Sequence, residues 1–98
     1  MVLHRMPVAP THSAQAILAE CHSAGVSGRF IFGSHALDRM KERNATRGDV
    51  RSALKSAILA TFQQDDGRWK ITGGTDRSGE PLDMAVVFEH GIVVITVF

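Results

Sequence analysis

The chain of 98 residues holds one cysteine, three prolines, one tryptophan and no tyrosine, and its net charge is only +1. Each scarcity excludes something. A single cysteine, Cys21, allows no intramolecular disulfide framework and fits a reducing compartment. No run approaches the roughly 20 apolar residues of a membrane span. Met1 to Pro10 is mildly basic but lacks the apolar stretch of a signal peptide. The expectation is a cytoplasmic protein with no membrane contact. So small a net charge does not by itself mark a nucleic-acid protein, and any basic surface must come from clustering. There is no internal repeat and no low-complexity tract. The length suits one domain spanning 1–98, large enough to bury a core without metals or disulfides.

Clustering is what Ser34-His-Ala-Leu-Asp-Arg39-Met-Lys-Glu-Arg43 provides. The stretch reads as a helix capped by Ser34. At roughly 100° per residue, His35, Arg39 and Arg43 fall within about 80° of one another and form one basic strip. Ala36, Leu37 and Met40 occupy the adjoining arc and are expected to face a core. A helix that packs only its apolar arc leaves the strip free to meet an anion. An imidazole beside two fixed positive charges is what metal-free binding or cleavage of a phosphodiester needs.

Along the chain, helices come first and strands last. An irregular lead-in over 1–10 precedes a helix capped by Thr11 or Ser13, with Ala14, Ile17, Leu18 and Cys21 on one face and a stop near Gly25. Gly25 to Gly33 is a short apolar link, either pairing as a strand or only packing. After the basic helix, Thr46 and Asp49 approximate a capping box that opens a helix with Val50, Ala53, Leu54, Ala57 and Ile58 at helical spacing. The last third turns to strand periodicity: Thr61 to Gln64, Arg68 to Gly73, Leu82 to Glu89 and Ile92 to Phe98. Turns fall at Asp65-Asp66-Gly67 and His90-Gly91, with a polar loop over Gly74 to Pro81. The expected fold is α+β, with the N-terminal helices on one face of a three- to four-stranded antiparallel sheet.

A two-residue turn at His90-Gly91 would pair Glu89 with Ile92, Val87 with Val94, Ala85 with Thr96 and Asp83 with Phe98. One face would then carry Leu82, Met84, Val86, Phe88, Val93, Ile95 and Val97 and take the helices. Trp69 and Ile71 belong with that face. Arg68, Lys70 and Thr72 point away, so Lys70, Thr72, Asp83 and Thr96 would share a polar, helix-free surface. A one-residue bulge would change this assignment.

Plainer readings stand beside these. His35 could bond only to backbone, and the arginines could pair with Glu42, Asp38 or Asp49 on a solvated face. Lys70 could be an edge-strand charge, Thr96 an ordinary strand residue, and Trp69 core. The five histidines, Cys21 and the acids show no metal-ligand spacing. Gly73-Gly74-Thr75 is no phosphate loop, because no helix N-terminus follows it. Neither metal nor other cofactor is expected.

The run Ser34-His35-Ala36…Arg39-Met40…Arg43, then Gly67-Arg68-Trp69-Lys70-Ile71-x-Gly73, then a hydrophobic strand ending Val-Ile-Thr96-Val-Phe, resembles a small bacterial domain-of-unknown-function family. Members often lie beside antitoxins with a YgiT-type zinc finger. The resemblance covers residues 30–98, leaving 11–25 as an extra N-terminal helix. It implies the barnase–EndoU–colicin–RelE fold and similarity to RelE-like and MqsR-like toxins, ribonucleases that cut messenger RNA without a metal. By that resemblance His35, Arg39, Lys70 and Thr96 would be catalytic, and Arg43, Arg68 and Thr72 would bind substrate. The partners would be mRNA, free or ribosome-bound, and a cognate antitoxin. Some related toxins place a tyrosine near the scissile phosphate, and this chain has none. Two other classes fit the same residues. One is a non-catalytic module docking nucleic acid or an acidic protein through the strip. The other is an interaction module pairing through an open sheet edge.

Overall fold

Ser13 sets where the first helix begins: its hydroxyl accepts the Ala16 N–H at 3.1 Å, opening α1 over Ala14–Ser27. The computed structural model describes residues 10–98, so the expected lead-in lies, but for Pro10, outside the described residues. The helix does not stop at Gly25. It ends at Gly28, whose φ of 76° supplies the left-handed cap and whose N–H reaches Ala24 O at 2.8 Å. Gly25 is instead a packing notch. A β-carbon there would lie 2.6 Å from Lys55 Cγ and 2.7 Å from the Lys55 amide, so only glycine lets the third helix cross this closely.

The apolar link forms β1 (Phe30–Phe32), followed by α2 (Ser34–Glu42) and α3 (Arg47–Ser56). Thr46 and Asp49 make the full capping box at the start of α3. Strands β2 (Leu59–Gln63), β3 (Arg68–Thr72), β4 (Met84–Phe88) and β5 (Ile92–Val97) complete the chain. The class is α+β as expected, but the sheet has five strands in the order β1-β5-β4-β3-β2, with β1 parallel to β5 and the other pairings antiparallel. Three residues are too few to show alternation, and the parallel partner lies about sixty positions away in sequence, so local pattern could not reveal it.

Helices α1 and α3 pack on each other, with α1 laid across the sheet, while α2 rests separately against β5 and β1. The core between them joins Ile17, Cys21 and Leu54 to Ile71, Met84, Val86 and Val94. Trp69 is buried with them, as expected. Ile58 is not on the buried face of α3, which ends at Ser56; its side chain is exposed.

The β4–β5 register departs from the expected one and then rejoins it. The turn spans Glu89-His90-Gly91, pairing Phe88 with Ile92, Val87 with Val93 and Val86 with Val94. A bulge then leaves Ile95 without a partner, after which Ala85 faces Thr96 as expected. The core on β5 is therefore Ile92, Val94 and Val97, not Val93, Ile95 and Val97. Without the bulge, Thr96 would follow Val94 onto the helix side. With it, Thr96 stands in one cross-strand row with Ala85, Lys70 and Thr61, on the face away from Trp69 and Ile71.

Candidate functional site: a basic helix beside a polar sheet row

Gly33, rather than Ser34, caps α2, and it does so without any side-chain hydrogen bond. Its own N–H bonds Val94 O at 2.9 Å, so α2 departs from the sheet directly beside β5. The far end is closed by Asn44 at φ 57°. Asn44 N–H bonds Lys41 O at 3.2 Å and Ala45 N–H bonds Met40 O at 2.8 Å, the paired bonds of a Schellman ending. Ala36 and Met40 are buried, but Leu37 is exposed, so the apolar arc is narrower than the sequence suggests. The helix packs chiefly against β5 and β1.

This placement leaves His35 and Arg43 exposed and Arg39 half-buried on one side of α2. Among the described residues no protein group hydrogen-bonds the His35 ring, so its nitrogens are open to a ligand. Arg39 Nη1 meets Glu42 Oε2 at 3.2 Å, one of the pairings anticipated. It is an exposed i, i+3 pair, of the kind worth about 0–1 kcal/mol and readily exchanged for a phosphate. Asp49 is not a partner for the strip. Its carboxylate accepts the Thr46 and Arg77 amides, and those bonds hold its pKa below the usual carboxylate range.

On the sheet, Lys70 and Thr96 do share a row. The Lys70 ammonium lies 5.4 Å from the centre of the Phe98 ring. Thr96 is only 8 % exposed, and its hydroxyl has one long contact, 3.4 Å to Val97 O. Arg68 and Thr72 flank Lys70 on the same face of β3, half-buried. Thr96 belongs to β5, the strand that α2 rests on.

Several other cations are taken by the fold. Arg47 donates to Gly28 O at 2.8 Å and Phe30 O at 3.1 Å, with its guanidinium 4.1 Å from the Phe30 ring centre. Arg51 donates to Gly25 O and Val26 O, both at 2.7 Å, closing the C-terminal turn of α1. Sequence alone gave no sign that these two differ from the strip arginines. Cys21 is buried beside Glu20, and its pKa is pushed up to about 12, chiefly by burial, so it is no nucleophile. Among the described residues no three His, Cys, Asp or Glu side chains cluster as a metal site, and no helix is long and apolar enough to cross a membrane.

The chain is thus a small α+β domain with a basic strip on α2 and a polar row on the sheet, β5 being common to the α2 contact and the row. Residues 32–98, more than half of the chain, match the model of a domain-of-unknown-function family, DUF4258, and the chain belongs to it. The matched span holds every site residue; α1, outside it, contributes Ile17 and Cys21 to the core. No curated protein and no solved structure matches the chain.

Proposed function

We propose that this domain is a metal-independent endoribonuclease, the toxin half of a bacterial toxin–antitoxin pair, cutting messenger RNA to a 2′,3′-cyclic phosphate. The observation that carries the reading is β5 as a common support: α2 packs on it, carrying two arginines and an imidazole with no partner among the described residues, and Thr96 of β5 stands in one row with Lys70. Such an arrangement supplies proton transfer and fixed positive charge around one phosphate, with no need for a further group.

The reaction forms one bond, O2′ to phosphorus, and breaks one, phosphorus to O5′. One proton leaves the 2′-hydroxyl and one arrives on the departing 5′ oxygen. His35 is the proton-transfer group, exposed and with neither ring nitrogen hydrogen-bonded among the described residues. Arg39, exchanging Glu42 for the substrate, and Arg43 hold the charge that builds on the phosphoryl oxygens with planar forks. Lys70 adds a point charge from the sheet, and Arg68 and Thr72 hold the neighbouring backbone. Thr96, largely covered, orients the row rather than reaching into solvent. An antitoxin would act by covering the strip, and an acidic surface suits that task.

The test is one RNA oligonucleotide in two forms, unmodified and fully 2′-O-methylated, each incubated with the purified chain. Cleavage of the unmodified form alone, leaving 2′,3′-cyclic phosphate and 5′-hydroxyl ends, is expected. Equal cleavage of both would exclude attack by the 2′-hydroxyl. Binding of both with no cleavage would leave the alternative, a docking module for nucleic acid.

A further inference from the structure

One row further along the face that bears Lys70, about 7 Å away by strand geometry, the register sets Val87, Val93 and Ile31 side by side, and Arg68 stands on the same face of β3 two positions before Lys70. Ile31 is 64 % exposed although it sits in a strand. At its end of the row a cleft of about 290 Å³ opens between the start of β1 and the Glu89-His90-Gly91 turn, lined by Ile31 and Val93, with Arg29, Glu89 and His90 among its other walls. His90 is held at φ 58°, a conformation that a non-glycine residue adopts at some cost.

We propose that this cleft is a nucleobase pocket, taking the base of a nucleotide whose phosphate lies on the Lys70 row; this rests on the ribonuclease reading above. A single RNA strand presents flat apolar bases alternating with anionic phosphates, and proteins read it by splaying bases onto apolar or guanidinium surfaces. Here the aliphatic floor of Ile31 and Val93 matches a base face. Arg29 offers a plane to stack on it, Glu89 offers an acceptor for its edge, and His90 offers its ring nitrogens. Cations stand at both ends of the arrangement, Arg29 at the cleft and Arg68 across the row, as a strand running through it would require. A free small hydrophobe would use the floor but leave these cations without a counter-charge.

The test is anisotropy binding of the full chain to five labelled pentamers on one 2′-O-methyl backbone that cannot be cut: A, C, G, U and an abasic chain. At least one base-bearing pentamer is expected to bind on the order of ten-fold tighter than the abasic one. Ile31→Ala should erase that advantage, Glu89→Gln should alter the ranking of the four bases, and Lys70→Ala should weaken all five alike. Base-bearing and abasic pentamers binding equally, both weakened by Lys70→Ala, would overturn the pocket and leave the ribonuclease reading standing. No binding of any pentamer would overturn both.

Discussion

Arg39 and Asp49 illustrate how differently two charged side chains on neighbouring helices are used. Arg39 is held by Glu42 alone, at 3.2 Å on an exposed helix face. That contact adds little to stability. Arg39→Ala is expected to lower the cleavage rate by about a hundred-fold, the scale of removing one donor to a developing oxyanion. Arg39→Lys should recover only part of it, since an ammonium lacks the planar fork. Single-turnover rates check both, with circular dichroism to confirm an unchanged fold. Asp49, by contrast, is structural: the Thr46 and Arg77 amides hold its carboxylate below the ordinary range. A group whose folded pKa is depressed stabilises above its unfolded pKa, about 3.9, and that stability disappears as pH falls through the folded value. Asp49→Asn is therefore expected to lower the urea midpoint at pH 7 and to converge with wild type as pH falls below about 4. A gap independent of pH would mean that charge at Asp49 does not matter.

At the level of elements, what could be read in advance was whatever is encoded locally. Ser13, Thr46 with Asp49, and the Asp65-Asp66-Gly67 turn lie where their side chains and backbones dictate, and α1, α3 and β3 begin after them as expected, whereas β2 starts at Leu59, two residues before the expected Thr61. The alternation of Arg68, Lys70 and Thr72 against Trp69 and Ile71 also held. What failed depended on distant chain. Gly25 looked like a helix stop because only α3, twenty-six and more residues on, shows why glycine is needed inside α1. β1 was undecidable until β5 supplied a parallel partner. On β5, a turn one residue longer than assumed reversed Val93 and Val94, and the bulge at Ile95 then restored Thr96 to the row of Lys70. The sharing of one face by Lys70 and Thr96 was thus anticipated through two compensating departures. Gly25→Ala is the direct check on the crossing. It should gain about 1 kcal/mol of helix propensity, yet a β-carbon 2.7 Å from a backbone amide must force the helices apart, at about 1–3 kcal/mol or more. Net loss in chemical denaturation is expected, and net stabilisation would contradict the close crossing.

Over the whole molecule, two sets of cations among the described residues are used differently. Arg47 and Arg51 bind carbonyls where α1 ends and β1 begins, and Arg47 thereby covers one edge of the sheet. His35, Arg39 and Arg43 on α2 and Arg68 and Lys70 on β3 bind no backbone carbonyl among the described residues, so a chain of net charge +1 still keeps cations open to a ligand. RNA binding by this surface should weaken steeply with salt. Arg43→Ala should reduce the slope of log affinity against log salt by about 1, whereas an Arg43 that touches no phosphate would leave the slope unchanged. The measurement that bears most directly on the account is the cleavage rate of an RNA pool in EDTA by wild type and by His35→Ala. Cleavage to 2′,3′-cyclic ends, reduced about a hundred-fold or more in a folded His35→Ala variant, is expected. Cleavage at the same rate in the variant, or an RNA pool left intact by the wild type both free and on ribosomes, would contradict it.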